Sequence, residues 1–454
     1  MPVSTSRISG TVVAGTVVSG TVPLSQHELT VTAAAERIGG MPPGNSRVVR
    51  RPDRRGMRRT TGTVRDDSST GRRRVQRAGR IAAVALTAAV AVVPTATAVA
   101  SVPTGGATAA AQGTLTSSRP LPAGWGGADR AWYVEYVTDG PTGAPANTSG
   151  AVLLPAGTAP AGGWPVIAWD HGTSGLGRDC GPTSKPNAGP DEEITRTLLG
   201  RGYAVVVPDY VGLGANAQSP HPYLQTRTEA AATVDLMRAA RSVTGDLAPR
   251  WAVAGVSQGG HAALATGNMA TKRAPELDFR GTAALAPATN IEKAFTLVGP
   301  YVPEVPGLEG ITAQFAAAVG GLRSAQPDFD VNSYLTPAGV ALVDRLQTLC
   351  EPDWATAAKG LSLGSLVRKP LLDPEFARRL NDYMAVPVSG YDRPILVTHG
   401  YVDTTVPIPL TAALLAEFQA AGTQYRFETY QTDHPGVVDA SWPVVLPYLS
   451  GILA

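Results

Sequence analysis

One serine lies where its hydroxyl group is set up to act as a nucleophile. Residues 255–259 read Gly-Val-Ser-Gln-Gly, a G-x-S-x-G spacing, with an apolar run before it and small residues after it. The apolar run predicts a buried strand and the small residues predict the start of a helix, with a sharp turn between them. Gly255 and Gly259 leave room for strand and helix to approach each other. Because a helix start favours nearby negative charge, the predicted chemistry is attack of Ser257 on a carbonyl group.

The same spacing occurs again at residues 360–364 and offers Ser362 as an alternative nucleophile. Residues 353–359 before it are typical of a helix, and residues 365–370 after it run quickly into a proline. A nucleophilic serine of this kind needs a strand before it and a helix after it. We therefore assign the nucleophile to Ser257, and we interpret the second copy as an ordinary turn in a helical region.

An activated serine needs a histidine base, and six histidines occur in the chain. On a strand-turn-helix scaffold the order along the chain is nucleophile, acid, histidine. His434 follows the last predicted strand and fits that order. The other five lie in the N-terminal region, before the serine, on the helix after it, or before the candidate acid: His27, His171, His221, His261 and His399. We predict His434 as the general base and His261 as a supporting residue one helical turn from the serine.

The acid must hold the base in the correct tautomer and stabilise it when it is protonated. Asp403 follows the apolar run 394–398, in the loop where this scaffold carries its acid. Asp433 is a competitor, but it is adjacent to His434 in sequence, and adjacent side chains point poorly at each other. Asp392 precedes the strand and lies at its wrong end. The sequence therefore predicts Asp403 as the acid.

Acyl transfer also needs two N–H groups aimed at the developing oxyanion. The residue after the nucleophile supplies one of them, which is the backbone N–H of Gln258. The second is expected in the loop after the apolar strand 164–169, where a His-Gly-Thr sequence follows. Either Thr173 or Gly172 fits that position. A tight strand-to-loop turn without a catalytic role is the alternative.

The elements around these residues alternate between strand and helix. Apolar runs predict strands at 131–137, 149–155, 164–169, 203–208, 251–256, 281–286, 394–398 and 425–429, and the first two form a hairpin. Helical spacing predicts helices at 193–201, 226–243, 258–269, 408–421 and 442–453. This alternation predicts a mostly parallel central sheet flanked by helices. Together with the serine turn, it predicts the α/β-hydrolase fold.

Residues 288–386 interrupt the alternation, and they read mainly as helices with proline-rich joints. An insertion between strands at this point is the usual place for a cap or lid over the active site. A helical decoration that touches no substrate is the alternative. The α/β-hydrolase core then comprises residues 128–287 and 387–454.

The N-terminal region has the character of a targeting segment. Residues 72–80 are basic, residues 81–93 are apolar, and an A-x-A sequence ends at Ala100. These are the three parts of a signal peptide, so residues 72–100 are predicted to be cleaved and the enzyme to be secreted. The apolar run is shorter than the ~18 residues of a membrane anchor, the alternative. Residues 1–71 are predicted to be disordered or a misassigned leader, with translation starting at a site such as Met57, and 101–127 a linker or extended arm.

Bulk properties exclude several classes. The net charge of +2 gives no argument for nucleic acid as a partner, and two cysteines exclude a zinc finger or a disulfide-dense scaffold. Secretion brings those cysteines into an oxidising compartment. Cys180 follows the oxyanion loop and Cys350 lies in the predicted cap, so a disulfide between them would tie the cap to the rim of the site. Two unpaired buried thiols are the alternative.

Four stretches together resemble the bacterial and fungal secretory lipase family. They lie at 163–173, 180–182, 202–214 and 256–260, and the resemblance extends over roughly residues 115–454. It implies an α/β-hydrolase with a helical lid that hydrolyses esters of fatty or other carboxylic acids and needs no cofactor or metal. Ser257, Asp403 and His434 match the order of the family's catalytic residues.

The expected function is therefore a secreted lipase or esterase that acts through a Ser-His-Asp triad. Its partner is a small-molecule or lipid ester, and the cap is expected to contact a lipid–water interface. Three alternatives use the same fold: an acyltransferase, a serine peptidase, and a binding module without catalysis. Acyl chain length, interfacial activation and oligomeric state stay open.

Overall fold

The computed structural model describes residues 111–454. The predicted leader (1–71), the predicted signal peptide (72–100) and the first residues of the predicted linker lie outside the described residues. The strands of the described part are β1 Leu115–Pro120, β2 Arg130–Asp139, β3 Pro145–Leu154, β4 Trp164–Asp170, β5 Ala204–Pro208, β6 Leu247–Val256, β7 Asp278–Leu285, β8 Ile395–Gly400 and β9 Arg426–Tyr430.

These strands form one 9-stranded sheet in the order β1-β2-β3-β5-β4-β6-β7-β8-β9. The strands from β5 to β9 are parallel, whereas β1, β2 and β3 pair antiparallel and β3 joins β5 antiparallel. The chain steps from β4 to β5 in one direction and then returns past β4 to β6. Such a reversal opens a crevice at the carboxyl ends of the strands, here between β4 and β6.

Helices flank the sheet, as the alternating pattern predicts. They are α1 Glu192–Leu199, α2 Thr226–Val243, α3 Gln258–Arg273, α4 Ile291–Thr296, α5 Glu309–Ala325, α6 Pro337–Leu346, α7 Trp354–Ala357, α8 Leu363–Leu366, α9 Pro374–Met384, α10 Ile408–Ala421 and α11 Val437–Leu453. Val205 packs with α1 and α11 on one face of the sheet, and its neighbour Val206 packs with α2 and α3 on the other. The period of two along β5 therefore buries the strand on both sides.

The edge of the sheet differs from the prediction. Residues 101–127 are expected to be a linker or extended arm, but Leu115–Pro120 forms the edge strand β1 and pairs with β2. The core of the described chain thus begins at β1 and not at residue 128. The reason is physical: β1 is almost wholly exposed and polar, so it carries no alternation of apolar residues and is held by backbone pairing.

The insertion between β7 and β8 carries the helices α4 to α9. It has an apolar cluster of its own, built around Phe315, Val319, Trp354 and Phe376. Loops of the sheet body contribute Leu176, Tyr223, Leu224 and Val406 to that cluster. The insertion and the sheet body therefore share buried surface at the crevice end of the sheet.

Ser362 begins α8 as its N-cap, with its hydroxyl accepting from the backbone N–H of Ser365. The Ser365 hydroxyl in turn accepts from the backbone N–H of Ser362, which completes a capping box. The second G-x-S-x-G sequence is therefore a helix cap in the insertion.

Candidate active site

Ser257 lies on the sharp turn between β6 and α3, as the spacing predicts. Its φ of 60° and ψ of −118° are costly for a residue with a side chain, on the order of 1–3 kcal/mol. Backbone hydrogen bonds hold the turn: the Ser257 N–H donates to the Leu285 carbonyl, and its carbonyl accepts from His261 and Ala288. A turn of this kind exposes the serine hydroxyl above the sheet, as nucleophilic attack requires.

The glycines of the turn are required by close backbone contacts. A Cβ atom on Gly259 would collide with the Asp170 carbonyl at the end of β4, and one on Gly255 would collide with the Gly259 carbonyl. At Gly260 an added Cβ would lie 2.8 Å from the Leu285 carbonyl oxygen. The glycine spacing therefore follows from how tightly β6 and α3 pack between neighbouring strands.

His434 and Asp403 meet in space although 31 residues separate them. His434 lies in the loop after β9 and Asp403 in the loop after β8, so both loops leave the same edge of the sheet. His434 Nδ1 is 2.6 Å from Asp403 Oδ2. The other carboxylate oxygen accepts from the backbone N–H groups of Thr405 at 2.9 Å and Val406 at 2.8 Å.

These contacts keep Asp403 ionised. Burial raises the pKa of the Asp403 carboxyl, but hydrogen bonds from His399, His434 and the Val406 N–H outweigh that effect and hold the pKa well below its usual range. A carboxylate only accepts, so the proton of a neutral His434 lies on Nδ1. Its Nε2 is then left with a free lone pair that can take a proton.

Ser257 and His434 open onto the same cavity. This cavity has a volume of about 610 Å³. Its wall also includes Gly172 and Thr173 from the loop after β4, and Gln314 from α5 of the insertion. A narrow pocket of about 20 Å³ meets Ser257 on another side, lined by Leu224, Ala288, Phe295 and Val406 among others.

The loop after β4 lies against the serine turn. A Cβ atom on Gly172 would lie 3.9 Å from the Cβ of Ser257. Within residues 111–454, neither the backbone N–H of Gln258 nor that of Thr173 has a protein acceptor. The Thr173 hydroxyl lies 2.9 Å from the Tyr223 hydroxyl. The N–H of Gly172 likewise has no protein acceptor in that range, so all three predicted donor residues have N–H groups free for a ligand.

A family model described as secretory lipase matches residues 187–448, more than half of the 454 residues. The chain belongs to the secretory lipase family. It is therefore a lipolytic hydrolase that acts on esters, and the family expected from the sequence is confirmed.

Solved structures of two other hydrolases are similar to this member of the secretory lipase family. The rice cell wall degrading esterase LipA from Xanthomonas oryzae is 23% identical, with a TM-score of 0.60 over 76% of this chain and 97% of that one. Candida antarctica lipase A is 21% identical, with a TM-score of 0.62 over 76% and 83%. At these identities the likeness concerns the fold, and it confirms the α/β-hydrolase prediction. A comparison with curated proteins found no match.

The disulfide expected from the sequence is present in this secretory lipase. Cys180 and Cys350 are bonded, with their Cα atoms 5.3 Å apart. Both cysteines line the cavity that contains Ser257. The bond therefore joins the loop region after β4 to the insertion at the wall of the candidate site.

A buried polar group below the serine turn was not predicted. Glu229 on α2 is fully buried, and its carboxylate contacts the side chains of Gln258 and His261 at 2.7 Å each. His221, which the search for a base discarded, lies 2.7 Å from the same Gln258 amide. The only sequence signal for a buried Glu229 is its place next to the apolar face of a helix. An acidic residue at such a place is equally compatible with exposure to solvent.

In residues 111–454, no helix is long and apolar enough to cross a membrane.

Proposed function

We propose that this secretory lipase is a secreted serine carboxylic-ester hydrolase in which Ser257, His434 and Asp403 form the catalytic triad. One observation carries the proposal: His434, held by a buried carboxylate, opens onto the same cavity as a serine on a strained strand-to-helix turn. The order of the three residues along the chain is the order that this fold requires.

In the proposed mechanism, Ser257 Oγ attacks the ester carbonyl carbon while His434 Nε2 takes the hydroxyl proton. The oxyanion of the tetrahedral intermediate accepts from the N–H of Gln258 and from the loop after β4, where either Thr173 or Gly172 supplies the second N–H. The intermediate collapses, and the departing alkoxide takes the proton from His434. Water then attacks the acyl-serine with His434 as base again, which releases the acid and restores the serine hydroxyl.

Asp403 accepts a hydrogen bond from the Nδ1–H of His434 throughout and stabilises the imidazolium that forms at each proton transfer. Its pKa lies well below the usual range, so it stays charged while His434 cycles. Burial lowers the pKa of His171, at the start of the oxyanion loop, from 6.5 to about 4. His171 is therefore neutral at physiological pH and adds no charge beside the oxyanion.

The test of the mechanism is a pair of serine variants. Ser257→Ala should lower kcat on a p-nitrophenyl ester by at least about 10⁴-fold, because the nucleophile is lost while the binding cavity stays. Ser362→Ala is the matched control, and it should retain full activity and lose only a cap worth about 1 kcal/mol of stability. Activity retained in Ser257→Ala and lost in Ser362→Ala would reassign the nucleophile.

The competing functions make different predictions. A serine-directed phosphonate should label the wild-type protein at Ser257, whereas a binding module without catalysis would stay unlabelled. Cleavage of peptides but not acyl esters would favour the peptidase, and transfer to an alcohol faster than to water would favour the acyltransferase. A panel of p-nitrophenyl esters of rising chain length then ranks the substrates, since cap contact with a lipid–water interface favours long chains.

Secretion is part of the same proposal. The family is described as secretory, and the disulfide fits an oxidising compartment. The residues that carry the signal, 72–100, lie outside the described residues, so support for cleavage comes from their sequence. N-terminal sequencing of protein collected from the medium should find Ser101 first. A mature chain that begins before residue 72 would contradict the proposal.

A further inference from the structure

Glu229 is a carboxylate that the proposed triad mechanism leaves without a role. It lies on α2 with no exposed surface, where an unpaired charge would be very costly. Three donors surround it instead. Its Oε1 accepts from the backbone N–H of Leu224 at 3.1 Å and from Gln258 Nε2 at 2.7 Å, and its Oε2 lies 2.7 Å from His261 Nδ1. The carboxylate is thus a junction between three separate segments.

The partner His261 links Glu229 to the insertion. Its Nε2 lies 2.9 Å from the carbonyl of Met384, which only accepts, so Nε2 bears a hydrogen. Burial lowers the pKa of His261, but the charge and hydrogen bond of Glu229 outweigh it and the net shift is upward. Met384 is the last residue of α9, where helix carbonyls lack partners and a cation is favoured. The Glu229–His261 contact therefore also anchors the end of the insertion through Met384.

The hydrogen bond from Gln258 to Glu229 is the first arm of this junction, and it fixes the Gln258 side chain. His221 Nδ1 lies 2.8 Å from the Val211 carbonyl and must donate to it, so His221 Nε2 is an acceptor. The Gln258 amide then donates one hydrogen to His221 and the other to Glu229. A side chain held at both hydrogens holds its own backbone as well. That backbone N–H is the first proposed oxyanion donor.

The second arm leads to the other donor. Leu224 has a φ of 62°, a conformation that side chains rarely adopt, and its N–H donates to Glu229. The preceding residue, Tyr223, places its hydroxyl 2.9 Å from the hydroxyl of Thr173. Thr173 is one of the two candidates for the second oxyanion donor. One carboxylate therefore connects the serine turn to the loop after β4 through hydrogen bonds and the short Tyr223–Leu224 segment.

We propose that Glu229 is a positioning residue, which holds the two oxyanion donors Gln258 and Thr173 at a fixed separation through the Gln258 amide and the Leu224–Tyr223 segment. This inference rests on the proposed esterase mechanism. Glu229 itself contacts no reacting atom. Its effect is transmitted through residues that do, so it acts on the tetrahedral intermediate and not on the bound ester.

Two substitutions at this position separate positioning from charge. Glu229→Gln can keep every hydrogen bond: its carbonyl accepts from Leu224 and Gln258, and its amide donates to Nδ1 of a neutral His261. Glu229→Leu has a similar volume and keeps none of them. We expect Glu229→Leu to lower kcat by about 100-fold, the effect of disturbing one oxyanion donor, with KM within about threefold. Glu229→Gln should keep kcat within about fivefold of wild type.

A boronic acid that forms a tetrahedral anionic adduct with Ser257 provides a second measurement, its inhibition constant. A smaller fraction of folded enzyme would not change that constant. The inhibition constant should weaken in Glu229→Leu by the same factor as kcat/KM, because adduct and intermediate use the same donors. If Glu229→Leu does not fold, Tyr223→Phe tests the second arm alone. It removes one hydrogen bond to Thr173 and should lower kcat by about tenfold with KM unchanged.

The outcomes separate this role from the function on which it rests. Wild-type protein that hydrolyses no ester and reacts with no phosphonate refutes the esterase mechanism itself. An active wild type whose folded Glu229→Leu and Tyr223→Phe variants keep kcat within twofold refutes only the role of Glu229. A Glu229→Gln variant as impaired as Glu229→Leu also refutes it, because hydrogen bonding without charge would then be insufficient.

Discussion

Replacing Asp403 by asparagine tests the proposed acid with a small change, since one carboxylate oxygen becomes an NH₂ group. The carboxylate accepts from His434 Nδ1 on one oxygen and from the N–H groups of Thr405 and Val406 on the other. An asparagine keeps the second set of bonds with its carbonyl oxygen and turns its NH₂ group towards His434. Nδ1 must then accept, and the proton of neutral His434 moves to Nε2. The base would face Ser257 with a hydrogen in place of a lone pair.

The expected loss in kcat is about 10⁴-fold, since the wrong tautomer cannot take the serine proton. That factor corresponds to about 5.5 kcal/mol in the barrier. His399 adds to the effect, because its Nε2 lies 3.3 Å from the same carboxylate oxygen and would face an NH₂ group instead. The assay is steady-state hydrolysis of a p-nitrophenyl ester, with circular dichroism to show that the variant is folded.

Asp433→Asn is the matched control. Asp433 is the neighbour of the base in sequence, yet its carboxylate accepts from the Gly436 N–H at 3.1 Å and belongs to the turn before α11. Its replacement should leave kcat within about twofold, as expected for an exposed turn residue. A folded Asp403→Asn variant with more than a tenth of wild-type activity, or an equal loss in Asp433→Asn, would refute the assignment.

Two further predictions concern stability. The Cys180–Cys350 disulfide closes a loop with a sequence separation of 170, so reduction should lower the melting temperature and the free energy of unfolding, the latter by up to about 5 kcal/mol. The melting temperature of a Cys180→Ala/Cys350→Ala variant should not change with reductant. Two free thiols in the unfolded, unreduced protein would contradict the bond. Burial lowers the pKa of His171 from 6.5 to about 4, so the unfolded chain binds a proton in that window before the folded chain does. The free energy of unfolding should therefore fall by about 3 kcal/mol between pH 6.5 and 4. Urea midpoints measured across this range should fall less steeply with pH in His171→Asn than in the wild type, because the variant lacks the titrating group. Equal slopes in the two proteins would refute the prediction.

The strands that carry the site were predictable because they are buried on both faces. Residues such as Val205 and Val206 pack against helices on opposite sides of the sheet, so β5 is a continuous apolar run in the sequence. The edge strand β1 obeys no such constraint. It is polar and exposed, and its partner is the backbone of β2, which leaves no trace in side-chain periodicity. Composition alone made that segment look like a linker.

The residues of the candidate triad could be predicted from the sequence for a different reason. A fixed order along the chain and six histidines allowed His434 to be chosen by elimination, without any knowledge of distances. The cysteine pair followed similarly from there being two of them. By contrast, the choice between Thr173 and Gly172 as oxyanion donor depends on backbone direction in one loop. Residue types do not encode that direction.

The burial of Glu229 could not be predicted from the sequence, because the element that buries it is distant along the chain. On α2 alone, an acidic residue beside Ala230 belongs to the polar side of an amphipathic helix and would be solvated. In the folded chain the end of α9 covers that side: the Thr226 hydroxyl donates to the Tyr383 carbonyl at 3.3 Å, and His261 reaches Met384 at 2.9 Å. The insertion thus buries a carboxylate that would otherwise lie on the surface, and Glu229 becomes a junction beneath the serine turn.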